Sequence, residues 1–188
     1  MLKREDIETK EIAEIQDLMT NDVTEYSAGL ETKTLDELEK MEQDLMEEMK
    51  EDDKHLESVT YKLGSSAEFD GTTFNSDKIQ EMIVKFLERL EVEWRATLGI
   101  YQAIKFWKKE FDGEVPYAVF DSTLRLLGTL KYKGNIDCKN VLLINNWFSE
   151  QHKSYAVDNT WRAYLAAKHQ ALMQAMQRVN ETPEDKSK

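Results

Sequence analysis

The chain has 188 residues, of which 40% are apolar and 33% charged, and its formal net charge is −12. That length suits one domain with a full core, or one domain with an appendage. The acidic balance excludes bulk nucleic-acid binding through a basic surface, which needs an excess of Lys and Arg to displace counterions.

The longest purely apolar run is Val141-Leu142-Leu143-Ile144, far short of the ~20 residues a bilayer span requires. The opening Leu2-Lys3-Arg4-Glu5-Asp6 turns charged at once and has no apolar stretch behind it, so no secretory signal is read. Cys138 is the single cysteine and cannot close an intramolecular disulfide. A reducing setting follows, cytoplasmic or within an assembled particle, with no membrane contact. The charge is segregated: residues 1–60 carry a net −13 and residues 61–188 a net +1. Lysine outnumbers arginine 19 to 6, as AT-rich coding in phages and some bacteria produces.

In chain order, Ile12, Ile15 and Met19 recur at helical spacing and predict a first helix over about Leu2 to Met19. Residues 21–33, with weaker periodicity and Gly29, read as a connection. Thr34 followed by Glu37 is a capping-box start, and the helix it opens is expected to run to Leu63, where Gly64 supplies an exit. This second helix reads in heptads. Leu35, Glu42, Met49, Leu56 and Leu63 share one position, and Leu38, Leu45, Asp52 and Val59 the other. Seven of the nine are apolar, enough to face a partner helix along the full length, while Glu42 and Asp52 interrupt the seam. The flanks (Glu39, Asp44, Glu47, Glu48, Glu51, Asp53) are acidic, so parallel self-pairing would oppose like charges.

Residues 64–76 are small and polar with two glycines and read as a linker at the charge boundary. A helix follows from Asp77 to Phe111, with Ile79, Ile83, Phe86, Leu90, Trp94, Leu98 and Tyr101 at three- and four-residue steps, ended by Gly113 and Pro116. The next covers Pro116 to Lys131. Asp137 caps a short apolar helix through Phe148, and Asp158 caps a last one with Trp161, Leu165, Leu172 and Val179 on its inner stripe. The stretch Glu150 to Val157 reads equally as loop or as continued helix. Residues 180–188 form a polar tail. No segment alternates, so little or no sheet is expected. The fold class read from these elements is all-α: a helical-bundle body of about four helices (77–179) behind an acidic two-helix N-terminal arm (1–63).

The candidate chemistry is sparse. Asp52, Asp53 and His55, with Glu48 and Glu51, resemble one degenerate copy of a helical metal motif that normally occurs in pairs, and a solvated acidic face explains them more simply. His169 beside Leu165 and Leu172 reads as a hydrogen-bonded core-edge residue, and His152 is the third histidine of the chain. Cys138 reads as a small core or boundary residue. Lys105-Phe106-Trp107-Lys108-Lys109 and Lys131-Tyr132-Lys133 interleave bases with aromatics, the combination that stacks nucleobases. Helix-end cations beside core aromatics account for both.

Phosphate-loop, dinucleotide-binding, nucleophile-elbow and paired Cys-x-x-Cys signatures are all missing from the sequence, so no catalytic, cofactor or metal residue is assigned. The expectation is a non-enzymatic interaction or assembly protein, such as a phage or bacterial structural or accessory component. Its partner is another protein, or a second copy in a homo-oligomer, and Leu35, Leu38, Leu45, Met49, Leu56 and Val59 are the candidate interface. Two alternatives carry weight. One is an acidic decoy or inhibitor that binds a basic, nucleic-acid-handling protein, and the other a metal-dependent helical-bundle enzyme.

Overall fold

A computed structural model describes residues 2–7, 10–91, 93 and 97–181. It is chiefly helical. A 3-10 turn at Arg4–Asp6 precedes α1 (Ile12–Leu30) and α2 (Leu35–Ser58). Strand β1 (Thr60–Lys62) and the hairpin β2 (Ser66–Phe69) and β3 (Thr72–Asn75) come next. Then follow α3 (Ser76–Leu87), α4 (Thr97–Lys105) with a π-helical continuation at Phe106–Glu110, β4 (Glu114–Pro116), α5 (Tyr117–Thr129) and the long α6 (Gly134–Glu181). No helix among the described residues is long and apolar enough to cross a membrane.

The chain forms two compact units, and their boundaries lie inside α2 and α6. One unit joins Met1–His55 to Ala156–Lys188, and the other is Leu56–Tyr155. These cuts differ from the division at residues 64–76 expected from charge and composition.

The first unit has its core among α1, the first part of α2 and the last part of α6. Ile15, Met19 and Leu30 meet Leu38 and Leu45, and these meet Trp161, Leu165, Leu172 and Ala175. Burying an aliphatic side chain of this size contributes roughly 1.5–3 kcal/mol. Helix α1 begins later and ends later than its apolar spacing indicated. Residues 4–6 turn separately, and the stripe continues through Val23, Tyr26 and Leu30, which keeps Gly29 helical against a propensity cost of about 1 kcal/mol. Thr34 and Glu37 cap α2 reciprocally. The Thr34 amide donates to Glu37 Oε2 at 2.9 Å, and the Glu37 amide to Thr34 Oγ1 at 3.4 Å.

The second unit begins where α2 stops. The helix ends at Ser58 rather than Leu63, because Thr60–Lys62 pairs antiparallel with Glu114–Pro116, placing Tyr61 opposite Val115. Both of those side chains are buried. Within the expected linker, β2 and β3 pair from Ser66↔Asn75 to Phe69↔Thr72 around Asp70-Gly71. Both turn residues take positive φ, 52° and 70°, the conformation of a two-residue hairpin loop, for which Asp-Gly is a favoured pair. Strands of three or four residues are too short for alternation to register, hence the expectation of little sheet.

The helix expected over Asp77–Phe111 is two helices, α3 and α4. Asn75 caps α3, its Oδ1 accepting from the Lys78 amide at 3.0 Å. Trp94, placed on the inner stripe of that single helix, lies outside the described residues. The π turn after α4 brings the consecutive side chains Phe106 and Trp107 into the core together, edge to face at 5.6 Å. Around them gather Phe111, Phe120, Trp147 and Phe148. Two buried indoles are satisfied: Trp107 Nε1 donates to Thr123 Oγ1 at 2.9 Å, and Trp147 Nε1 to the Gly64 carbonyl at 2.7 Å. The two helices expected over 137–148 and 158–179 are one, α6, helical through 150–157. Of the polar tail, residues 182–188 lie outside the described residues.

Candidate functional site

Of the six residues expected to face a partner, five divide between the two cores. Leu38 and Leu45 are buried, and Met49 is half-buried, against α1 and α6 in the first unit. Leu56 is buried and Val59 half-buried in the core of the second. Leu35 is half-buried at the start of α2. The seam is therefore occupied by the protein's own side chains.

What α2 turns outward is acid. Asp36, Glu37, Glu39, Asp44, Glu47, Glu51, Asp53 and Glu57 are exposed along its length. Glu37 pairs with Lys33 at 3.0 Å and Asp53 with Arg162 at 3.0 Å. Lys40, Lys50 and Lys54 are the exposed cations among these acids. Glu11 at the N-cap of α1, and Glu14, Asp17 and Glu25 within it, are exposed as well.

Beneath the acidic face lies a polar layer that heptad spacing explains. In α1, Ile12, Ile15, Met19, Asp22 and Tyr26 follow three- and four-residue steps, as do Leu38, Glu42, Leu45, Met49 and Asp52 in α2. In α6 the same steps run through Asp158, Trp161, Leu165, Lys168, Leu172 and Ala175. Each helix thus places polar residues at inward positions, and they find one another. Tyr164 donates its hydroxyl to Asp22 Oδ2 at 2.6 Å. The Arg4 guanidinium bonds both Asp52, at 2.6 Å, and Asp158. His55 Nε2 lies 3.8 Å from Asp158, and His169 Nε2 lies 4.0 Å from Glu42. Lys168, 2% exposed, sets its ammonium over the rings of Tyr26 at 4.8 Å and Tyr164 at 5.1 Å. Buried polar residues at seam positions fix register at some expense of stability.

Protonation follows burial here. Desolvation raises the Asp52 carboxyl above its ordinary range although Arg4 opposes the shift. It raises Glu48 against the pull of Lys168. Burial, and then the bond to Asp22, raise the Tyr164 phenol so far that it stays a hydrogen-bond donor throughout the physiological range.

The remaining candidates are placed plainly. Phe106 and Trp107 are buried and Tyr132 is half-buried, so these rings are core rather than base-stacking platforms, and Lys108 pairs with Glu88 at 2.7 Å. Cys138, expected at the core or its boundary, is exposed in the first turns of α6. The His152 side chain lies outside those described. Among the described residues no group of three or more His, Cys, Asp or Glu could hold a metal ion. A groove of about 510 Å³ opens between α1 and α6, lined among others by Gln16, Met19, Val23, Asn159, Ala163 and Ala167, with no formally charged side chain.

Sequence reasoning missed Arg4, Asp22 and Lys168, and it read Asp158 as a helix cap, whereas Asp158 lies inside α6 and bonds Arg4. A signal existed for two of them: Asp158 and Lys168 occupy inward steps of the α6 stripe, where a charge demands a partner. Nothing marked Arg4, which stands in a charged run.

No family model, curated protein or solved structure matches the chain.

Proposed function

We propose that the chain is a non-enzymatic binding protein that engages a basic protein partner through the outward acidic face of α2. The supporting observation is the division of that helix, with its apolar seam inside the protein's own cores and a row of carboxylates outside. An exposed acidic face on a packed helix attracts a basic surface at long range and speeds encounter. The acidic N-terminal arm thus contributes its charge to recognition, whereas its leucines hold the fold. Such a partner includes nucleic-acid-handling proteins, for which the carboxylates stand in for phosphates, and basic components of an assembly.

The test neutralises Glu39, Asp44, Glu47 and Glu51 together (Glu→Gln, Asp→Asn) and compares proteins that co-purify with the variant and with the wild-type chain at low and high salt. A basic partner lost on neutralisation and lost in high salt supports the reading. Competition of that partner by duplex DNA identifies the decoy form of it. A partner retained equally by both chains overturns it.

A further inference from the structure

Segment Leu2–Ile7 is held the way a peptide ligand is held. Its backbone–backbone bonds are local: the Asp6 amide donates to the Lys3 carbonyl, the Ile7 amide to Arg4, and the Lys10 amide to Ile7. Its grip on the helices comes from the Leu2 amide, which reaches Asp22 at 3.2 Å, from Leu2 packed half-buried against the core, and from the side chains of Arg4 and Ile7. Arg4 forks across carboxylates on different helices, Asp52 of α2 and Asp158 of α6, which are 6% and 7% exposed. Three residues on, Ile7 is fully buried in the cluster that holds Ile15, Leu45 and Trp161.

The fork explains the choice of arginine. A planar guanidinium presents parallel donors to two acceptors at once, which a lysine ammonium does not match in geometry. It also explains why the socket cannot stand empty. Two adjacent buried carboxylates without a cation carry a large desolvation cost and repel each other, and the neighbouring cations are committed elsewhere or lie further off. Arg162 pairs with Asp53 at 3.0 Å, and His55 lies 3.8 Å from Asp158. The segment leaves only if another cation arrives.

We propose that Asp52 and Asp158 form an arginine-binding socket with an adjoining aliphatic pocket. Arg4 and Ile7 fill it in cis, and it exchanges with a protein segment that presents an arginine and, three residues later, a bulky aliphatic side chain. This inference stands independently of what the outer acidic face binds. The socket is inward and geometrically selective, whereas the outer face is diffuse.

The experiment uses the full chain carrying Arg4→Ala and Ile7→Ser, which empties both subsites, and a synthetic peptide of residues 2–10 as the probe. Titration calorimetry should show saturable binding to this variant. It should show at least about tenfold weaker binding to the wild-type chain, where the peptide must displace Arg4 and Ile7. A peptide with alanine in place of its arginine should not bind, and adding Asp52→Asn and Asp158→Asn to the chain should abolish binding. A folded double variant that ignores the peptide, or equal binding to wild type, overturns the proposal. If the double variant does not fold, Arg4→Ala alone is melted with ethylguanidinium or ethylammonium. Thermal stability restored by the guanidinium and not by the ammonium supports the socket, and restoration by neither or by both equally overturns it.

Discussion

Two side chains in the second unit show how single residues set its stability. Trp107 and Thr123 are 1% and 0% exposed, and their 2.9 Å bond is the indole's route to an acceptor inside the core. Thr123→Val preserves shape and removes that acceptor. Denaturant unfolding is expected to show a loss of about 1–3 kcal/mol, the cost of leaving a buried donor without a partner. Asp137 makes a different contribution. Its carboxylate takes a forked pair from Arg89, at 3.0 and 2.8 Å, and the Lys133 amide at the entry to α6. Hydrogen bonding by Arg89, and then by the Lys133 amide, depresses its pKa from 3.8 to about 2. A depressed carboxyl lends stability that is complete above its unfolded value and is lost as pH falls through the folded one. Asp137→Asn should therefore destabilise the protein most near neutral pH. The gap from wild type should close as the pH approaches about 2, which urea midpoints measured along a pH series will show.

At the scale of elements, α2 shows what could be read beforehand and what could not. Its capping box and heptad were visible in the residues, because cap chemistry and apolar spacing are local. Its end was not: Thr60–Lys62 continues the helical pattern but is drawn into a strand by Glu114–Pro116, more than fifty residues on. Nor could spacing alone tell an internal seam from one awaiting a partner. The interruptions at Glu42 and Asp52, read as weaknesses of a coiled coil, are the positions where His169 and Arg4 approach. Mutation separates the two readings of the seam. Leu38→Ala empties a fully buried site and should cost ~2–5 kcal/mol in unfolding free energy. Leu35→Ala, at a half-buried site, should cost well under half as much. Equal and small losses at both positions would mean that the seam is not part of the core.

At the scale of the whole molecule, the predominance of helix was legible because it is repeated in every long segment. The partnership between the two ends of the chain was not. Ile15, Leu38 and Leu45 are completed by Trp161, Leu165 and Leu172, across a separation over which one sequence carries no signal of contact. The change of charge at residue 60 misled in the same way, since charge follows the outer faces of α1 and α2 while the core joins those helices to α6. An arm defined by charge is therefore half of a cluster. Residues 1–63 alone keep the caps and the spacing but lose the aromatic and aliphatic side chains of α6, and most helical stability in proteins comes from such packing of an amphipathic face. This fragment is expected to show weak helical circular dichroism and no cooperative melting. Adding a peptide of residues 156–181 should restore both, through the Tyr164–Asp22 bond, the Arg4–Asp158 pair and the shared apolar core. A fragment that melts cooperatively without that peptide would show that the arm is a folding unit in its own right and that its contacts with α6 are incidental.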